Sequence, residues 1–482
     1  MQFTSINFLI FYIVLILVYF IVPNKFKYVW MLVCSLAFYA AFGHGYIFYL
    51  IGTTAVTYIA SRLIGRINDN EDISQDIKSA RKKQILIVTV LLCVIQLSVF
   101  KYAQLNMMMP IGLSFYSFAV IGYLADVYKG TIKAERNIAK YALFTSFFAY
   151  IVSGPIERYG HFMNQIEEME EHRIWNYHKF VSGFIMLMWG AFLKMVLADR
   201  MSAFVDVIFD NYASYGTIML FGGMVAYSIQ IYADFAGYSL MAIGSAKMMG
   251  IELFENFNTP YFARNIKDFW ARWHMSLSGW LKDYVYIPLG GSRCSKVRNY
   301  LNLMITFLIS GAWHGNGLNF VFWGFLHGAY QVMSKLTYPM RSRIREAIHV
   351  KEDSKLLIVW QMSWTFVMAT IAWVFFRVPT MLDGFKMIGR MATQFDLSLI
   401  LTSGIHDVGF DNRDVLALLI AFVLLFAVSI YKYNKKESPA ELLMRCPVPF
   451  RMAAVLVLIF LVLIFGEYGP GAYSAPFVYA QF

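Results

Sequence analysis

The stretch KSARKKQILIVTVLLCVIQLSVF, residues 78–100, decides the fold class. Residues 85–100 form an apolar run with no charged residue and no two-residue alternation. Alternation would mark a half-buried strand; a continuous run of this length marks a helix. Lys78, Arg81, Lys82 and Lys83 stand directly against it. An apolar helix with a basic cluster at one end is the pattern of a membrane span held on its cytoplasmic side.

The rest of the chain repeats that pattern. Apolar stretches occur at 6–22, 28–42, 46–60, 110–127, 141–152, 180–197, 216–231 and 235–249. They continue at 301–313, 320–332, 356–376, 415–430 and 452–465. Several fall short of the ~20 residues a full crossing needs, so some are tilted, broken or re-entrant. Of the 482 residues 59% are hydrophobic and 15% charged, against roughly 25% charged in a soluble domain. No single soluble core could hide so much apolar surface, whereas a bilayer accepts it. The expected fold is an all-α polytopic integral membrane protein of about 11–14 helices and half-helices.

The run at 6–22 has no basic region ahead of it and no small-residue cleavage site behind it, so it reads as a retained span rather than a signal peptide. Basic clusters give the orientation. Lys25 and Lys27, the group from Arg62 to Lys83, and Lys129, Lys133, Arg136 and Lys140 all fall on one side when spans are counted. That side is the cytoplasm, which puts the N-terminus outside. A further cluster, Lys432, Lys435, Lys436, Arg445 and Arg451, leaves the C-terminal tail outside. The net charge of +11 is therefore expected to serve the membrane rather than nucleic acid. Cys34, Cys93, Cys294 and Cys446 form no C-x-x-C pair, and no metal site or disulfide framework is expected. With no internal repeat or Pro/Ser linker, residues 1–482 read as one membrane domain, its most polar outer segment around 394–414.

The least span-like stretch is NTPYFARNIKDFWARWHMSLSGWLKDYVYIPLGGSRCSKVR, residues 258–298. Phe269, Trp270, Trp273, Leu277, Trp280 and Leu281 recur at helical spacing among basic residues, which predicts a Trp-bearing amphipathic helix. Such a helix lies on anionic headgroups. Its positive face also attracts a phosphorylated acyl donor, and Arg264, Lys267, Arg272, Trp273 and Lys282 are the candidate donor contacts.

His274 lies within this stretch, and His314 follows in ITFLISGAWHGNGLNF. A histidine after an uncharged run sits below the membrane surface, where an ionisable group is costly and functional by default. Gly311, Gly315 and Gly317 predict a broken, closely approached backbone beside it. Imidazole suits the removal of a proton from an alcohol attacking a thioester. Hydrogen bonding inside a helix bundle explains the same residue as packing, and residue chemistry alone leaves both open. Asp234, Asn316 and His327 are candidates to support the site. Asp234 either orients a histidine or caps a broken helix, and His327 also fits a satisfied core position. Lys194, Asp199 and Arg200 are expected to pair near a helix end. No phosphate-binding loop, nucleophile elbow or dinucleotide fingerprint is present.

These motifs carry a resemblance. SGPIERYGHF (153–162), YADFAGYSLMAIG (232–244), residues 256–291, GAWHG (311–315) and FWGFLHG (322–328) resemble, in this order, the membrane-bound O-acyltransferase superfamily. Within it they resemble the bacterial alginate O-acetyltransferase branch, related to teichoic-acid D-alanyl transfer proteins. The motif-bearing core spans about residues 150–330. The resemblance implies a ring of helices around a central funnel, with the superfamily's active-site histidine at His314 and its second, more variable one at His274. It also implies a donor entering from the cytoplasm, acetyl-CoA or an acyl-carrier protein, with no permanently bound cofactor. The acceptor would be an extracellular polysaccharide or cell-wall polymer, with an extracellular acetyltransferase or polysaccharide-biosynthesis protein as partner. The tail at 466–482 resembles this branch's ending, and Ser474 or Tyr479 could relay an acyl group there.

Two rivals share the buried histidines. A flippase for a lipid-linked saccharide would show two matching halves, which this sequence lacks. A non-catalytic scaffold of a polysaccharide export complex would not need both His274 and His314.

Overall fold

A computed structural model describes residues 1–43, 45–72, 74–103, 109–171, 175–395 and 410–468. Among them every regular element is a helix. Seven of the described helices are long and apolar enough to cross a membrane. They are Tyr46–Asp69, Gln75–Tyr102, Tyr177–Asp210, Thr217–Met248, Lys355–Arg377, Asn412–Lys435 and Val448–Phe465. Shorter apolar helices, Ile6–Ile21 and Ile138–Ile151, accompany them. Their outward faces stay apolar: Ile21 is 80% exposed, Leu356 81% and Leu419 59%. Water would drive such faces to aggregate, whereas hydrocarbon solvates them. The chain is an all-α, multi-pass membrane protein.

Local chemistry sets the helix ends. Ser5 accepts from the Phe8 N–H to open the first helix, and Pro23 follows its close. Ser295 accepts from the Arg298 N–H to open Lys296–His314, and Asp411 and Asp414 form a reciprocal capping box for Asn412–Lys435.

The chain forms two compact units. The first comprises Met1–Leu187 and Tyr238–Glu255. Tyr12 and Tyr19 tie its first helix to the carbonyls of Ser245 and Met249, each at 2.7 Å. The second comprises Met188–Gly237 and Asn256–Phe482 and holds both histidine motifs.

One pair of predicted stretches turns out to be a single element. Residues 216–231 and 235–249 lie within the 32-residue helix Thr217–Met248. Asp234 therefore stands inside a helix and caps no break. Lys194 holds it there at 2.7 Å and pairs with Asp199 at 2.6 Å, all three side chains being almost wholly buried. Gly237 makes the approach feasible, since a Cβ there would sit 2.8 Å from the Gly190 carbonyl oxygen. The expected pairing of Lys194 with Asp199 is present, but within the helix Tyr177–Asp210 rather than at its end. Arg200 leaves this group. It binds Asp414, Glu467 and the Phe465 carbonyl, because successive residues on a helix point to different sides. Ser474, Tyr479 and most of 394–414 lie outside the described residues.

Candidate active site

The segment after Glu255 is not one amphipathic helix. It runs as a short turn at Pro260–Phe262, a helix at Ile266–Trp270, a second at Met275–Leu281 and a widened π turn at Lys282–Tyr286. His274 marks the break, with φ 43° and ψ 54° in the left-handed region. A non-glycine residue there costs energy and persists only when its surroundings hold it. Those surroundings are visible. The Met275 N–H donates to the Asn256 carbonyl and the Asn258 N–H to the Arg272 carbonyl, both at 2.9 Å. The Asn256 side-chain oxygen meets His274 Nδ1 at 3.3 Å and accepts from Ser276 Oγ at 2.6 Å.

This wrapping buries His274 completely. Its ring meets Phe235 edge-on at 4.7 Å. Burial pushes its pKa down to about 3, so the imidazole is neutral at physiological pH.

His314 is the last residue of Lys296–His314, and Gly315 continues in extended backbone. The side chain is buried among Trp313, Trp323 and Phe376, with ring centroids 4.8, 5.0 and 5.3 Å away. Trp313 also lies 6.3 Å from His274, so one indole stands between the two motif histidines. His327 extends the cluster. It is fully buried, accepts from Trp270 Nε1 at 3.2 Å and packs against Trp323 at 4.9 Å. The structure thus brings His274, His314 and His327 into one aromatic network.

The glycines beside His314 give the expected break and close approach of the backbone. A Cβ on Gly311 would lie 2.4 Å from the Phe320 carbonyl oxygen, and one on Gly324 2.3 Å from that of Phe307. They let Lys296–His314 and Leu318–Leu336 touch backbone to backbone, which seats His314 against Trp323. The close approach is real, but its partner is the neighbouring helix.

The other predicted residues divide. Arg264, Lys267 and Lys282 are exposed. Arg264 lines a polar-edged cavity of about 290 Å³ together with Tyr330, Arg341 and Trp364. Arg272 is bound inward, to Asp268 at 2.8 Å and to the Asn258 carbonyl. Trp273 is buried between Phe269 and Trp373, at 5.5 and 4.8 Å, and presents no face to a donor in solution. Both belong to the scaffold because the apolar stripe that predicts them turns inward. Asn316 is exposed, and Asp234 is paired with Lys194.

Sequence reasoning missed Asn256, Trp323, Trp373 and Phe376. Among the described residues the indole N–H groups of Trp323 and Trp373 are buried with no hydrogen-bond acceptor. Orphaned donors of this kind are rare in native proteins and ask for a role. Trp323, within FWGFLHG (322–328), is the one of these two tryptophans that a motif could have signalled.

The match to a family model decides the identity. It covers residues 36–378 and describes the membrane-bound O-acyltransferase family. The chain belongs to that family. It is 32% identical over 463 residues to the probable alginate O-acetylase AlgI of Pseudomonas syringae pv. tomato, covering 91% of this chain and 84% of that protein. It is also 32% identical over 414 residues to a peptidoglycan O-acetyltransferase of Helicobacter pylori, covering 78% of this chain and 75% of that one. A teichoic acid D-alanyltransferase of Bacillus subtilis matches at 29% over 237 residues, 46% and 58% of the two chains. As a member of the membrane-bound O-acyltransferase family, this protein is an O-acyltransferase.

Proposed function

We propose that this O-acyltransferase moves an acetyl group from acetyl-CoA on the cytoplasmic side to a hydroxyl of an extracellular polysaccharide or cell-wall polymer. An extracellular partner protein receives or completes the transfer. The observation that carries the reading is His314, buried at a helix end in an aromatic enclosure that also contains His274. His314 is the general base. The acceptor hydroxyl gives its proton to the imidazole while its oxygen attacks the thioester carbonyl. The C–S bond then breaks, and the departing thiolate takes the proton back from the imidazolium. His274, held neutral by burial, positions Trp313 and through it His314.

The basic segment supplies the donor's entrance. Arg264 and Arg341 at the 290 Å³ cavity suit phosphate oxygens, and Trp364 offers an aromatic face. The alginate and peptidoglycan relatives support a polymer hydroxyl as acceptor.

Proteoliposomes given radiolabelled acetyl-CoA test the assignment. Label is expected on an acceptor or on a partner protein with the wild type, and not with a folded His314→Ala variant. Equal labelling by both would remove His314 from the chemistry. Labelling from a charged acyl-carrier protein but not from acetyl-CoA would replace the donor and leave the base intact.

A further inference from the structure

A second cavity in the Asn256–Phe482 unit is larger, at about 550 Å³, and of different character. Its walls come from the middle of Thr217–Met248, the turn at 259–262, and the helices Lys355–Arg377 and Asn412–Lys435. Val225, Ile229, Phe366 and Leu425 typify the lining. The Tyr261 hydroxyl, a polar group in this wall, already donates to the Ser228 carbonyl. Volume and lining fall in the range of small-molecule sites, about 300–1,000 Å³, yet few polar groups are offered to fix a polar ligand.

The mouth explains what can enter. Val359, Phe422 and Phe426 line it and are 59%, 44% and 51% exposed. They stand on two helices long and apolar enough to cross a membrane. An opening between such helices faces hydrocarbon rather than water, so the entrant is an acyl chain.

Basic residues stand just beyond the lining at Phe262. Phe262 lines the cavity and packs its ring on Tyr433 at 5.3 Å. The Tyr433 hydroxyl meets the Arg264 guanidinium at 3.5 Å, and the Arg272 guanidinium lies over the Tyr433 ring. Lys432 reaches the Phe257 carbonyl at 3.3 Å, and Lys435 and Lys436 close the same helix. Against these stand Asp268, bound to Arg272, and Glu437, bound to Arg445. The surplus is positive.

We propose that this cavity is a binding site for an anionic phospholipid, with one acyl chain between the helices and its phosphate at the Arg264–Lys432 end. Charge complementarity selects the headgroup, and the apolar walls select the chain. The bound lipid also props the wall of the catalytic cluster, since Tyr261 lies 6.0 Å from Trp273 and Trp273 lies 4.8 Å from Trp373. The lipid takes no part in acyl transfer. Arg264 also borders the donor's entrance proposed above. Cross-linking along the apolar walls is therefore the readout that stands whether or not the donor and acceptor are right.

The test uses the full chain in detergent with phosphatidylglycerol carrying a photoreactive group on its acyl chain. Cross-links are expected at residues 225–232, 359–367 and 422–429. Unlabelled phosphatidylglycerol should compete and phosphatidylcholine should not. Arg264→Gln should weaken competition by phosphatidylglycerol about fivefold, the worth of one basic residue at an anionic surface. Ser363→Trp, at an exposed position of the lining, should suppress labelling while the protein stays monodisperse and helical. Labelling spread equally over Ile6–Ile21 and Gln75–Tyr102 would overturn the proposal, and the wild type alone suffices for that result. Equal competition by phosphatidylcholine, or undiminished labelling of a folded Ser363→Trp, would overturn it as well.

Discussion

His161 and His274 each meet a side-chain oxygen through Nδ1, and the two oxygens differ by one charge. His161 Nδ1 lies 2.8 Å from the carboxylate of Glu157, whose other oxygen accepts from the Phe254 N–H at 2.6 Å. The bond to Glu157 raises the His161 pKa. His274 Nδ1 faces the amide oxygen of Asn256, and burial takes its pKa down to about 3. The first arrangement favours the imidazolium, and Glu157 also holds the Phe254 N–H. The second keeps an imidazole neutral in an apolar enclosure, where a charge would carry a heavy desolvation cost. A general base must be neutral to accept a proton, and the amide of Asn256 brings no charge to His274. Two further buried carboxylates, Asp199 and Asp234, are accompanied by Lys194.

This contrast can be broken at four points. Removing the base has the largest expected effect: His314→Ala should lower the acyl-transfer rate by about 10²–10⁴-fold, measured as label transferred per minute in proteoliposomes. An intact rate would make the cluster a packing device only. Next comes Lys194→Met, which leaves two carboxylates buried without their cation. It should cost about 3–5 kcal/mol of stability, read from unfolding in mixed detergent. A variant as stable as wild type would show that water reaches the trio.

Asn256→Asp sharpens the comparison by giving His274 the partner that His161 has. The added carboxylate raises the His274 pKa, so this histidine becomes protonated as pH falls toward neutrality. Activity of the variant should drop on the acid side, whereas His274 adds no such limb to the wild-type profile near neutral pH. Identical pH–rate profiles would show that the charge state of His274 does not matter.

Glu157→Gln has the smallest effect, below about 1 kcal/mol, because His161 is partly exposed and solvent screens the pair. The sign is definite. The folded pKa of His161 lies above its unfolded value of about 6.5. The pair therefore stabilises most below about pH 6.5, down to the range where Glu157, itself raised by burial, takes up a proton. It loses this contribution as pH rises through the raised His161 value. The difference in unfolding midpoint between wild type and variant should shrink along that rise; a constant difference would mean the bond is neutral.

Much of the architecture was legible because hydropathy is a local property. The helix Gln75–Tyr102 follows from a run and its basic flank, and the same rule locates Asn412–Lys435 and Val448–Phe465. The rule failed at residues 232–234, where a tyrosine, an alanine and an aspartate look like a break. A lysine on another helix removes the reason for one. It failed again at residues 269–281, where helical spacing holds for the apolar side chains although the backbone turns at His274. An inward-facing stripe on two short helices has the same periodicity as an outward-facing one on a single helix, so Trp273 and Arg272 were read as surface.

By itself the sequence determined the all-helical membrane class, the family and the two motif histidines, because span length, charge flanks and motif order are all written along the chain. Only the tertiary structure decided that His274 answers to Asn256, that Trp323 and Phe376 enclose His314, and that Lys194 neutralises Asp234. The reason is physical: partners are set by which helix faces meet. Those faces meet where glycines such as Gly311 and Gly324 let two backbones touch, and no local pattern records which carbonyl lies opposite.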